Sequence, residues 1–450
     1  MLVLMKKTFE EFSIAGKNLG LVTVLLSLFA SVIGASATLG IAEKTAAQGE
    51  SAIWFLFAGC AGLLFQGLIL SSKIRALNVN TLPELAEKTI GRPNALFISL
   101  IIFISWTGIV AAQFVALADL LSSLLPLDSA VVLIGAGAAV TLYTMIGGQR
   151  AVVRTDRIHA LFIFLGIAAA FAYCAFLADS AGELSVNGVM TSAAAFVQDG
   201  DFSRFLSGVS PVNLLYLVFV VGGTYFLGPD IISRNLISRD EKTARRAALI
   251  SAAVLFVYAF LVVETSAFGA HALNTADGAS QGQASGALNP LVALITRSLP
   301  LLPAVILAAA LISALISSAD TCLVNAATIF EYNVLGRKRV SEIRFLILLM
   351  GVAAILLGLG GRGIMSLLVG AYSIYSPGVV LPLTIGIISH GKRNVKGRLM
   401  FTAILTGSVF GFIAQFAPLF GLLAADSPLK ETLPLIGMAL SGIIALFACL

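Results

Sequence analysis

Phe29-Ala30-Ser31-Val32-Ile33-Gly34-Ala35-Ser36-Ala37-Thr38-Leu39-Gly40 lies in the middle of the first long apolar stretch of the chain. Small residues crowd where a membrane helix ordinarily carries bulky aliphatics, and glycine weakens a helix by about 1 kcal/mol per residue. A counterpart, Gly222-Gly223-Thr224-Tyr225-Phe226-Leu227-Gly228-Pro229-Asp230, sits five apolar spans later. Proline costs a helix interior about 3 kcal/mol. Five spans apart, the two segments run in opposite directions across a bilayer. Matched interruptions of that kind mark the sites of transporters built from inverted repeats. Small residues also serve plain helix packing, so the first segment alone reads equally well as a packing face. The matched placement favours two broken helices.

The composition around these segments requires a bilayer. Of 450 residues, 58% are hydrophobic and 11% charged, with a mean hydropathy of +1.00. Soluble domains run near 45–50% apolar and roughly 25% charged. A soluble enzyme, a disordered regulator, a fibrous protein and a disulfide-stapled secreted domain are excluded. Cys60, Cys174, Cys322 and Cys449 all lie in apolar stretches without C-x-x-C spacing, which implies neither disulfides nor zinc. Lys and Arg come in short clusters between apolar runs, unlike the basic stripe of a nucleic-acid binder.

A spanning helix takes about 20 mostly apolar residues. Twelve stretches qualify: 19–41, 51–72, 94–124, 129–147, 157–180, 211–233, 247–270, 300–331, 345–361, 363–389, 399–421 and 434–450. With the N-terminus cytoplasmic, 23 of the 28 Lys and Arg fall on inner connections. Only Lys44, Arg204, Arg297, Arg362 and Lys430 fall outside. The positive-inside rule demands that asymmetry, and a missed helix would scramble it beyond the error. The chain is therefore expected to be an all-α polytopic membrane protein of about twelve spans, with both termini cytoplasmic. Its single transmembrane domain would divide into a first repeat over 19–180, a second over 211–389, and two added helices over 399–450. The spans meeting at Gly360-Gly361-Arg362-Gly363 read as two helices or as one long kinked element. Connections 181–210 and 271–299, rich in Gly, Ser, Ala and Asn, are expected to be surface loops or short helices. Neither a cleavable signal peptide nor a signalling domain after the last span is expected.

Ionisable residues at mid-membrane cost about 2.5–3.5 kcal/mol on insertion scales and mark function by default. In span eight, Ser317, Asp320 and Thr321 stand at i, i+3 and i+4, hence on one helix face, with Ser318 beside them. Hydroxyls and a carboxylate converging in an apolar surround suit a hard monovalent cation. In the competing reading the serines bond back to the preceding turn and Asp320 meets a basic partner, but no Lys or Arg is expected at mid-membrane. Asp156 is ambiguous, since it or Thr155 also reads as a cap for span five. Asp119, Glu264 and Glu331 lie near span ends. His159, His271 and His390 are scattered, which argues against a metal cluster or a His-based enzyme.

In these residues the chain resembles the sodium:solute symporter family, whose members share the five-plus-five inverted-repeat fold of the bacterial leucine transporter. The likeness runs from about Glu11 to Arg393. It takes in Phe12 to Gly20, Thr81-Leu82-Pro83-Glu84, Gly147-Gly148 to Thr155-Asp156, Arg234 to Arg246, and Ser317 to Phe330. No one of these is specific; their order and topology are. The resemblance implies a main sodium site made by the carbonyls of Ala30, Ile33 and Ala314 and the hydroxyls of Ser317 and Ser318. It implies a second cation site, found in some members, at Asp156, Ser317, Asp320 and Thr321. Two carboxylates so close would share a proton unless a cation sits between them.

Three departures accompany the likeness. Of the family's extra helix before the first core span, only Met1–Met5 could be a stump, so the chain is expected either to lack that helix or to start late. Positions that are polar in sugar carriers read Val32, Ala37, Leu56 and Ala371, and the polar residues of proline carriers are not evident at Val32 and Gly34. No Arg lies in the outer half of span three to grip a carboxylate. Solute contacts are expected at Val32, Ser36, Phe57, Trp106, Tyr225 and Tyr372, which suit a small, partly apolar solute. The expected activity is sodium-coupled symport of a small organic solute by alternating access. The expected setting is the bacterial cytoplasmic membrane, with Na+ as coupling ion, no organic cofactor, no nucleic acid, and a monomer as the working unit. The rivals are proton coupling through Asp156 or Asp320, a transporter-like sensor, and a membrane-embedded enzyme. The absent acid/His/Cys cluster argues against the last.

Overall fold

The computed structural model describes residues 9–13, 15–181, 208–277, 288–424 and 427–450. Among these, the only β-pairing is one isolated bridge between Leu19 and Ser238. Eleven helical stretches are long and apolar enough to cross a membrane, and the shorter apolar helix Leu21–Val32 joins them. That short helix and Leu39–Gln48 are the two pieces of span one. Span two covers Ile53 to Ala76, and spans three to five are Arg92–Leu124, Ser129–Gly147 and Gln149–Ala181. Span six runs from Pro211 to Ile237 in pieces, and span seven is Glu241–Asp277. Span eight covers Leu301 to Leu335. Spans nine to twelve are Val340–Leu359, Ile364–Ser389, Gly397–Phe416 and Leu429–Ala448.

Both expected breaks are present. Span one leaves the helix at Ile33 and passes through the single turn Ala35–Ala37 before resuming at Leu39. Span six stops at Leu227, turns extended at Gly228 (ψ 138°), and restarts with Pro229 at the first helical position. Proline suits that position because its missing N–H would have no helical partner. Unwound backbone at membrane depth must be satisfied within the protein, and two buried tyrosines help to do so. The Tyr258 hydroxyl of span seven donates to the Ala37 carbonyl at 3.1 Å. The Tyr375 hydroxyl of span ten donates to the Leu227 carbonyl at 2.6 Å.

Spans eight and five pack together, with spans three and one alongside, and span ten lies between spans three and eleven. Small residues permit the tightest of these approaches. A Cβ on Gly407 or Gly411 of span eleven would overlap the carbonyls of Pro377 or Ser373 in span ten.

The start of span one is tied to the end of span six. The Leu19 N–H donates to the Ile237 carbonyl at 3.1 Å, and the Arg239 N–H donates back to the Leu19 carbonyl at 3.0 Å. Arg75 Nε adds a bond to the Ser238 carbonyl at 2.6 Å. Thr81 caps the next helix by accepting from the Glu84 N–H, while the Glu84 carboxylate accepts from the Asn80 N–H. These are the two reciprocal bonds of a capping box, displaced by one residue, and Asn333 at the end of span eight bonds to Thr81. Gly148 has φ +67° and lies against the Phe12 ring, leaving no room for a side chain.

Several expectations need correction. Span five begins at Gln149 rather than near 157, because the turn at Gly147-Gly148 is the real boundary. Asp156 therefore lies inside a helix and is no cap. The Gly360–Gly363 segment, by contrast, separates two helices as the count of twelve spans has it, with Gly361 at φ +71°. Span six continues past 233 to Ile237, carrying Arg234 into the interior at 0% exposure. Of the 23 cations counted on inner connections, Arg234 is therefore one that lies wholly buried. Met1–Met5, connection 181–210 up to residue 207, and 278–287 of the other long connection lie outside the described residues. The latter's remaining part includes the short helix Pro290–Ala293, with Asn289 bonding to the Leu39 carbonyl at 2.9 Å.

Candidate ion and solute site

At the break of span one, Ile33 has φ −94° and ψ 95°, so its carbonyl departs from the helical ladder. The Ser318 hydroxyl of span eight lies 3.2 Å from both the Ser31 and the Ile33 carbonyls. Ala30, Ile33, Ala314 and Ser317 are wholly buried, and Ser318 nearly so. Gln113 of span three holds the unwound segment by accepting from the Ala35 N–H at 2.8 Å. The five residues expected here would offer neutral oxygens, carbonyls and hydroxyls, in a buried place, with the Asp156 carboxylate next to them through Ser317. That donor set fits a small, hard, weakly charged cation better than a divalent metal, which takes carboxylates. Among the described residues no cluster of three or more His, Cys, Asp or Glu could hold a metal ion.

Beside the junction stands a buried charge network. Asp156 and Arg234 are both 0% exposed and pair at 3.0 Å through Oδ2 and Nη2. Asp156 also accepts from the Ser27 hydroxyl at 2.5 Å and from Ser317 at 2.7 Å. Arg234 donates to Ser27 at 3.1 Å, Ser31 at 2.6 Å, Thr321 at 2.8 Å and Ser233 at 2.9 Å. Spans one, five, six and eight thus meet on one guanidinium. A buried basic partner, which the sequence reading does not expect, is therefore present, though it pairs with Asp156 and not with Asp320. It engages Asp156 and Thr321, two of the four residues expected to hold a second cation. Asp320 is also wholly buried, yet neither of its oxygens has a hydrogen-bond partner.

A cavity of about 30 Å³ lies between the two breaks. Five of the six expected solute contacts line it: Val32, Ser36, Trp106, Tyr225 and Tyr372. Phe57 does not. Its ring stacks on Phe256 at 4.9 Å and meets Phe260 at 5.5 Å, in an aromatic cluster between spans two and seven. Gln113, Thr224, Cys322 and Asp230 also line the cavity, and sequence reasoning missed them as contacts. Asp230 alone carried a signal, being the carboxylate that ends the second broken segment.

The sodium:solute symporter family model matches residues 12–400 of this chain. The sodium/glucose cotransporter of Vibrio parahaemolyticus is 25% identical over 454 residues, covering 92% of this chain and 81% of that protein. The sodium/proline symporter of Haemophilus influenzae is 28% identical over 251 residues, covering 54% of this chain and 49% of that protein. Among solved structures, a Na+-coupled sialic acid symporter in a substrate-bound outward-open state superposes with a TM-score of 0.75. It shares 18% identity and covers 99% of this chain and 93% of its own; its report describes a novel Na+ site.

Proposed function

The chain belongs to the sodium:solute symporter family, and we propose that it carries a small organic solute into the cell together with sodium, by alternating access. The family and its structural neighbours are transporters, not enzymes, and the protein is a multi-pass protein of the cytoplasmic membrane. The observation that carries the proposal is the Ser318 hydroxyl, which touches the carbonyls freed at the break of span one. In this reading sodium binds there, among Ala30, Ile33, Ala314, Ser317 and Ser318, and fixes the broken helix in its solute-binding shape. Residues 19–180 and 211–389 act as the two repeats, with 399–450 added, and the basic side faces the cytoplasm. One sodium ion crossing ~100 mV down a tenfold gradient supplies about 4 kcal/mol. Two supply roughly 7 kcal/mol, enough for about 10⁵-fold accumulation.

The test is thermal unfolding of the purified protein in sodium against equal potassium. A ligand at about 100 times its dissociation constant stabilises by about 2.7 kcal/mol. A sodium-specific rise is expected in the wild type and is expected to vanish in Ser318→Ala. No rise over a wide sodium range, with a rise on acidification instead, would move the coupling to protons.

The second cation belongs at Asp320, since Arg234 already neutralises Asp156. A buried carboxylate without a partner is costly, and a cation relieves that cost. Asp320→Asn is expected to lower the number of sodium ions per transport cycle from two to one, read from the steepness of sodium activation of uptake in proteoliposomes. Unchanged steepness would remove Asp320 from the coupling. A loss of pH dependence in that variant, with sodium steepness kept, would make its cargo a proton.

A further inference from the structure

Three carboxylates stand around the centre of the molecule, Asp156, Asp230 and Asp320, and Arg234 is the one guanidinium among them. Arg234 pairs with Asp156, and Asp320 belongs to the cation site. Asp230 remains. Among the described residues it is the only charged one on the wall of the central cavity, and no Lys, Arg or His lines that space. No hydrogen bond within 3.5 Å reaches its Oδ1, although Trp106 Nε1 and the Ile231 N–H face its carboxylate and the Arg234 charge acts on it.

Taking the central cavity as the solute site, as the proposed function does, we infer that the solute is a small monocation whose ammonium head pairs with Asp230 between Trp106, Tyr225 and Tyr372. Four observations carry this. The first is position. In broken-helix transporters the restarted helix turns its positive N-terminus towards an anionic group of the solute. Here Asp230 occupies the first turn of Pro229–Ile237 and cancels that attraction. The second is the wall, where three aromatic rings surround the cavity. Ring faces attract cations, and ammonium heads most typically. The third is size, since about 30 Å³ holds a group of one or two water volumes, the size of a primary ammonium head. The fourth is an exclusion. A free carboxylate or an inorganic anion would meet the Asp230 charge inside the cavity, whose wall Arg234 does not join, bonding instead to Asp156, Ser27, Ser31 and Thr321.

The chain has two tryptophans, so Trp54→Phe leaves Trp106 as a fluorescent reporter in the cavity wall. In that protein, in sodium, ethanolamine and 3-amino-1-propanol are titrated against the neutral alcohols in which carbon replaces nitrogen, and against glucose and proline. Saturable changes are expected with the ammonium compounds and not with their neutral isosteres. Asp230→Asn is expected to weaken ammonium binding by about 10–100-fold, and Asp230→Glu to recover part of it. Equal response to the neutral isosteres, unchanged affinity in Asp230→Asn, or no response to any ammonium compound overturns the inference. The rise in melting temperature in sodium over potassium is read on the same samples. If that rise is present while ammonium binding is absent, the solute class fails and sodium coupling stands. If ammonium binds without any sodium rise, the coupling fails and the solute class stands.

Discussion

Arg234→Met is expected to destabilise the protein by about 3–5 kcal/mol, the usual cost of stranding one partner of a buried ion pair. Asp156 would keep its charge at 0% exposure with only the Ser27 and Ser317 hydroxyls to solvate it. Thr321 and Ser31 would each lose a donor. Adding Asp156→Asn is expected to restore most of the loss, because a neutral amide accepts from one of the two serines through its oxygen and donates to the other through its nitrogen, and no charge remains unpaired. The comparison is a double-mutant cycle on unfolding midpoints. Additive single effects would mean that the pair is not coupled and that Arg234 acts through its hydroxyl partners alone. Transport should separate from stability here. The doubly substituted protein is expected to fold yet transport poorly, because spans one, five, six and eight would no longer share one rigid junction.

The architecture was legible because its signals are local. Low charge gives the spans, Lys and Arg asymmetry gives their parity, and Gly228-Pro229 breaks a helix in any context. The burial of Ser317, Ser318 and Asp320 was also legible, since a hydroxyl-rich face in an apolar helix has few uses at a lipid surface. Arg234 was not. Five residues before Arg239 and near Lys242, Arg245 and Arg246, it reads as part of a basic loop. What buries it is tertiary: hydroxyls from Ser27 and Ser31, some 200 positions earlier, and the carboxylate of Asp156. Gln113 and Asp230 escaped for the same reason, since a polar residue shows its role only when the opposite wall of its cavity is known. Phe57 failed in the other direction. A single aromatic in an apolar span carries no sign of which neighbour it faces, and its neighbours are Phe256 and Phe260.

Gly34→Ala is expected to abolish the sodium response and sodium-driven uptake, although alanine is the better helix former. The reason is space rather than backbone conformation. Gly34 has φ −124°, which any residue adopts. A Cβ there, however, would stand 2.5 Å from the Ser318 hydroxyl and 2.8 Å from Gln113 Oε1. Real carbon–oxygen contacts do not close so far, so something must move. Neither neighbour is free to do so. Gln113 is committed to the Ala35 N–H, and Ser318 to the carbonyls of Ser31 and Ile33. Displacing Ser318 takes a ligand from the proposed sodium junction, and displacing Gln113 releases the unwound segment. Overpacking of this kind costs about 1–3 kcal/mol, a loss a folded transporter survives, so the variant should be recoverable from membranes and its melting temperature measurable. Its melting temperature in sodium is expected to equal that in potassium, as in Ser318→Ala. A Gly34→Ala protein that still gains stability in sodium would show that the ion does not bind where spans one and eight meet.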